Sequence, residues 1–91
     1  MLSEARTILV TGGTSGIGLE LVRLLHGMGH RLVVVARSPQ RLAQLRLRLP
    51  GVDTYACDLA VPGEIERLWT QVAAHHPGLS IVINNAAVQS T

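Results

Sequence analysis

Residues 11–18 read Thr11-Gly12-Gly13-Thr14-Ser15-Gly16-Ile17-Gly18, between an apolar run and a stretch with helical spacing. That context turns a glycine cluster into a structural statement. Gly12 lets the chain turn tightly where a strand ends. Gly16 lets the backbone approach a phosphate where a Cβ would clash. Gly18 lets the following helix lie close to the strand. The N–H groups of the first helical turn have no intrahelical partners, so an anion such as a pyrophosphate can dock there. Two other motifs are excluded. The spacing is not G-x-G-x-x-G, and a P-loop needs Lys after the last glycine, where Leu19 stands. A glycine-rich turn that binds nothing is the plain alternative.

Working outward, Thr7 to Thr11 reads as a buried strand. Ile17, Leu21, Leu24, Leu25 and Met28 follow at helical spacing, and Gly27 and Gly29 mark the stop. Arg31 to Ala36 is a second buried strand. Ser38 and Pro39 start a second helix, as N-cap and first helical residue, with Leu42, Leu45 and Leu49 as its apolar stripe. Val52 to Cys57 is a third strand. Gly63 to His75 is a third helix with Ile65, Leu68, Trp69 and Val72 on one face, and Leu79 to Ile83 is a fourth strand. The alternation predicts an α/β fold, a doubly wound parallel sheet of Rossmann-like form. The whole chain is one dinucleotide-binding domain. No helix follows the fourth strand, so the chain reads as truncated there.

Composition agrees. With 47% hydrophobic and 15% charged residues, the chain is too apolar for a disordered tail. At 91 residues it buries only about 60–65% of the surface its unfolded form exposes. The core must be aliphatic, since there is no Phe and the only large aromatics are Tyr55 and Trp69. Trp69, on an apolar stripe, is assigned to that core. One cysteine, Cys57, permits no internal disulfide and reads as a small core residue. No run is long enough to span a bilayer, and the polar start does not resemble a signal peptide, so the expected location is cytoplasmic. All eight basic residues are Arg, and there is no Lys.

Thr11 to Gly18, as T-G-x-x-x-G-x-G, resembles the signature of short-chain dehydrogenases/reductases. Asp58-Leu59 after the third strand and Asn84-Asn85-Ala86-Ala87 after the fourth agree with it. The family pattern has Gly where Ala87 stands, a departure that limits the backbone to ordinary φ. The resemblance implies an oxidoreductase that moves hydride between a nicotinamide cofactor and a carbonyl or alcohol. It implies that Thr14, Ser15 and Ile17 line the phosphates, largely through backbone groups. Asp58 would accept from the adenine amino group and Leu59 would pack by the ring. Asn85 and Ala86 would lie by the inner ribose, with Asn84 tying the fourth strand to its neighbours. The alternative is that Asp58 is a helix N-terminal acid or a turn residue.

The residue just past the second strand reads the adenosine ribose. A carboxylate there binds the 2′-hydroxyl of NAD, and an Arg accommodates the 2′-phosphate of NADP. Arg37 stands there, followed by Ser38, with Arg41 a helical turn on. The expected cofactor is therefore NADP(H) in preference to NAD(H). The alternative is that Arg37 is a solvated loop charge. A nucleic-acid patch is not expected, since Arg46 is displaced from the face of Arg41 and Arg48 and no stacking aromatics accompany them.

The family's chemistry needs a Tyr-x-x-x-Lys, in which a nearby cation perturbs a phenol of pKa near 10. Here the only tyrosine is Tyr55, the fourth residue on is Leu59, and no Lys exists. The chain alone is expected to be inactive, with no catalytic residue and no metal site. His26, His30, His75 and His76 are assigned to the surface. Three readings stand together: half of an NADP-dependent reductase, a non-catalytic NADP(H)-binding module, and a self-associating fragment that uses the exposed edge of the fourth strand. Small-molecule substrate is expected only in a longer parent.

Overall fold

A computed structural model describes residues 4–85. Four strands, β1 (Thr7–Thr11), β2 (Arg31–Ala36), β3 (Asp53–Ala56) and β4 (Leu79–Asn84), alternate with three helices, α1 (Gly16–Gly27), α2 (Pro39–Arg48) and α3 (Pro62–His75). The sheet is parallel throughout, in the order β3-β2-β1-β4. The chain steps outward from β1 to β3, then returns to pair β4 on the other side of β1. That reversal leaves a crevice at the carboxyl ends of the strands, where open α/β sheets bind ligands.

The two central strands are covered on both faces, which is why they read as continuous apolar runs. On one face Ile8, Val10, Leu32 and Val34 pack with Val22 of α1 and with Leu42 and Leu45 of α2. On the other, Leu9, Val33 and Val35 pack with Leu68 and Val72 of α3 and with Cys57. Each such fully buried aliphatic side chain contributes about 1.5–3 kcal/mol. The doubly wound architecture is the one expected.

Several local expectations are corrected. The buried face of α1 is turned by one residue from the predicted stripe. Gly18 and Val22 face the sheet, while Ile17 is 77% and Leu24 62% exposed. The cause is Gly18, which has to lie against the glycine turn and carries the next turn of the helix with it. Trp69 is not core but half-exposed, because α3 reaches the sheet through Leu68 and Val72. His30 is not a surface residue. It is buried, and its Nδ1 accepts a 3.0 Å hydrogen bond from the Arg6 backbone N–H. The strand β4 is not uniformly buried. Its exposure alternates, and Val82 is half-exposed on the α3 side. This is the edge to which the sequence assigns self-association. Among the described residues no helix is long and apolar enough to cross a membrane.

Candidate dinucleotide site

The carboxyl ends of β1, β2 and β3 open into one cleft of about 600 Å³. Gly12, Thr14 and Ser15 line it from the first loop. Arg37, Ser38 and Arg41 line it from the second, and Asp58, Leu59 and Ala60 from the third. Cys57 closes its floor beside Val35 and Ala36. Sequence-assigned residues from three separate loops therefore meet at one place.

The glycine turn is built as its composition requires. Gly12 and Gly16 have φ of 67° and 56°, a region that strains residues with a Cβ. The Gly12 N–H donates to the Val35 carbonyl at 2.8 Å, which pins the turn to β2. A Cβ on Gly16 would meet nothing within 4 Å, so the chain keeps a bare backbone facing open space. That is the geometry a phosphate cradle needs. Ser15 is the N-cap of α1, yet its side chain makes no capping bond, and the first turn carries no acid. The amides there remain available to an anion.

Gly18 faces inward. A Cβ there would collide with the Gly12 carbonyl oxygen and lie 2.5 Å from Asn85 Nδ2. Asn85 Nδ2 in turn donates to that Gly12 carbonyl at 3.1 Å, and Thr11 Oγ1 donates to Asn84 Oδ1 at 3.0 Å. The paired asparagines thus lock β4 to the glycine turn. Gly13, which sequence reasoning left unassigned, is also required for packing. A Cβ there would stand 2.8 Å from Val34 Cγ1 and 3.0 Å from Val22 Cγ2. The doubling of glycine at Gly12-Gly13 was the one available signal. Ile17 projects outward and is not in the cleft lining, and Ala86 lies outside the described residues.

The cleft's charge is cationic at one lip. Arg37 and Arg41 are exposed, and among the described residues neither guanidinium forms an ion pair. Asp58 lines the same cleft from the third loop. One of its oxygens, Oδ1, accepts from the Ala60 N–H at 3.0 Å, and the Asp58 N–H donates to Glu64 Oε1 at 3.2 Å. The turn role weighed for Asp58 is therefore present, its other carboxylate oxygen takes no part in it, and the residue also lines the cleft. Burial, then the Glu64 and Asp58 charges, push the Cys57 thiol up, which disfavours the thiolate a nucleophile would need.

The other chemistry-bearing side chains lie elsewhere. The Tyr55 hydroxyl bonds His75 Nδ1 at 3.0 Å, and His76 Nε2 meets Asp53 Oδ2 at 2.7 Å. Both pairs link β3 to the end of α3, and Asp53, at the start of β3, lies at the end of the sheet away from the cleft. Burial and the neighbouring Asp53 carboxylate push the Tyr55 phenol up, opposite to what an acid/base tyrosine needs. No three His, Cys, Asp or Glu residues among those described are grouped to hold a metal.

A family model described as short chain dehydrogenase matches residues 6–91. The chain is 39% identical over 83 residues to an uncharacterized oxidoreductase, DltE, of Bacillus subtilis, covering 91% of this chain and 33% of that protein. It is likewise 39% identical over 83 residues to L-xylulose reductase of Bos taurus, covering 91% of this chain and 32% of that one. Among solved structures, menthone neomenthol reductase from Mentha piperita superposes with a TM-score of 0.81 at 26% identity, covering 91% of this chain and 32% of that chain. A short chain dehydrogenase from Bacillus anthracis gives 0.79 at 26% identity, covering 88% and 34%. The chain thus spans about a third of the length of the relatives it matches.

Proposed function

Because the chain belongs to the short-chain dehydrogenase family, whose members use a nicotinamide dinucleotide, we propose that its cleft holds the adenosine and pyrophosphate end of that cofactor, as NADP(H) in preference to NAD(H). The observation that carries the reading is Arg37. It stands at the end of β2 on the lip of the cleft, with no ion-pair partner among the described residues. A guanidinium there offers a rigid fork of donors to a 2′-phosphate.

The remaining roles follow from the same cleft. The bare backbone of Thr14, Ser15 and Gly16, at the head of α1, receives the pyrophosphate. The free Asp58 oxygen accepts from the adenine amino group, and Leu59 packs against the ring. Gly18 lets α1 approach β1, and Asn85 orients the Gly12 carbonyl, so both shape the turn. The inner ribose falls beside Asn85. When bound, the cofactor would give a hydride from its reduced nicotinamide ring to a carbonyl substrate, or take one onto its oxidised ring from an alcohol. The residues 1–91 hold the dinucleotide but do not turn it over, since they contain no Lys and their only tyrosine is tied to His75.

Calorimetric titration with NADPH and with NADH tests this reading. One saturable site is expected, with NADPH bound at least about tenfold more tightly, the scale of one charge-assisted hydrogen bond. Equal affinity for the two would defeat the NADP(H) reading.

A further inference from the structure

Helix α3 begins without a side-chain cap. Val61 stands at its N-cap, Pro62 follows, and Glu64 is the acid of the first turn. A glutamate at this third helical position ordinarily reaches back to the N–H of the N-cap residue. Here that N–H is already taken, since the Val61 N–H donates to the Asp58 carbonyl at 3.1 Å. The Glu64 carboxylate passes the cap instead, and its Oε1 accepts from the Asp58 N–H at 3.2 Å.

The consequence falls on Asp58. Its N–H is held by Glu64, its carbonyl by Val61 and its Oδ1 by the Ala60 N–H. Oδ2 is left as its one polar atom with no partner among the described residues. Just before it, the Cys57 N–H donates to the Ala36 carbonyl at 2.9 Å, at the end of β2. The loop is therefore tied to the sheet at one end. The bonds from Ala60 and Val61 close the turn on itself, and only Glu64 ties Asp58 to a residue inside α3. Without that tie the turn is free to pivot beyond Cys57 and to carry Oδ2 with it. Glu64 does not itself line the cleft, so whatever it does there it does through Asp58.

We infer that Glu64 is a positioning residue for the adenine base: by holding the Asp58 N–H, it fixes the direction in which Asp58 presents Oδ2 to the adenine amino group. The inference rests on the reading of Asp58 as the acceptor for that amino group, and it adds the residue that makes the acceptor directional. An acid in the first turn also suits the helix dipole, which would be the whole role of Glu64 if it served α3 alone.

The probes are NADPH and its deamino analogue, in which a carbonyl oxygen replaces the adenine amino group. The quantity read is the ratio of their calorimetric affinities. A carboxylate oxygen accepts from the amino group and repels the carbonyl, so the unsubstituted chain should prefer NADPH at least about tenfold. Two substitutions separate reach from charge. Glu64→Gln keeps an acceptor oxygen at the same reach and loses the charge. Glu64→Asp keeps the charge at the start of α3 but is one methylene shorter, and the bond it must span is already at the long end of the N–H···O range. Glu64→Gln should leave the ratio within about twofold of its starting value, and Glu64→Asp should lower it about fivefold. A ratio that Glu64→Asp leaves intact overturns the positioning role while the adenine reading stands. A fall with Glu64→Gln also overturns it, since charge or general disturbance is then the cause. An unsubstituted chain that does not bind NADPH, or does not prefer it to the deamino form, overturns the adenine reading and the positioning role together.

Discussion

Gly18→Ala is expected to abolish dinucleotide binding and to lower stability by about 1–3 kcal/mol, the usual cost of forcing one extra carbon into packed structure. A Cβ at Gly18 has no room. It would overlap the Gly12 carbonyl oxygen, come within 3.0 Å of the Gly12 carbonyl carbon, and lie 2.5 Å from Asn85 Nδ2. Two of those atoms are backbone in a turn pinned to Val35, so relief must come from moving α1 off β1. Moving α1 also carries away the amides that face the cleft, which couples the stability loss to the binding loss. Alanine's better helix propensity returns only about 1 kcal/mol. Gly27→Ala is the matched comparison. It adds the same methyl near the other end of the helix, where nothing lies within 4 Å, and it should be neutral or slightly stabilising. Urea unfolding of both variants, with NADPH titration of each, checks the pair. Equal stability of Gly18→Ala and the parent would contradict the packing described for the turn.

Arg37→Asp is expected to reverse the cofactor preference. The change removes a charge-assisted contact of about 1.5–3 kcal/mol and puts a carboxylate against the 2′-phosphate. Together these amount to a loss of about a hundredfold or more in NADPH affinity. The same carboxylate can accept from the 2′-hydroxyl of NADH, so NADH binding is expected to hold or improve. Arg37 is exposed and unpaired among the described residues, so little structural disturbance accompanies the change. If Arg37→Asp binds NADPH as the parent does, Arg37 is a solvated loop charge, and the cleft's charge pattern has no bearing on cofactor choice.

Much of this was legible from residues 11–18 and from the strand runs, because both are local. A positive φ at Gly12 and Gly16, an apolar β2 covered on both faces, and an N-cap at Ser38 are each decided within a few residues. What was missed was decided at a distance. The buried face of α1 turned by one residue because Gly18 had to meet Gly12 and Asn85, and Asn85 is 73 residues from Gly12 in the chain. Trp69 shares an apolar stripe with Leu68 and Val72, and only the angle of α3 against the sheet shows which of them reaches it. His30 gives no local sign of burial. It is held by Arg6, on the far side of β1 and α1 in sequence. Gly13 looked like a spacer because the reason for it, Val34 above and Val22 beside it, comes from two other elements.

On the proposed function, the cleft at the carboxyl ends of β1, β2 and β3 holds the adenosine and pyrophosphate end of a dinucleotide. Mapping backbone amide shifts by NMR during a titration with NADPH tests it most directly. The amides of Thr14, Ser15, Gly16, Ser38 and Leu59 should move together and saturate, while those of Asp53, His75 and His76, at the opposite pole, stay in place. Saturable shifts confined to that opposite pole, or none at the glycine turn, would contradict it.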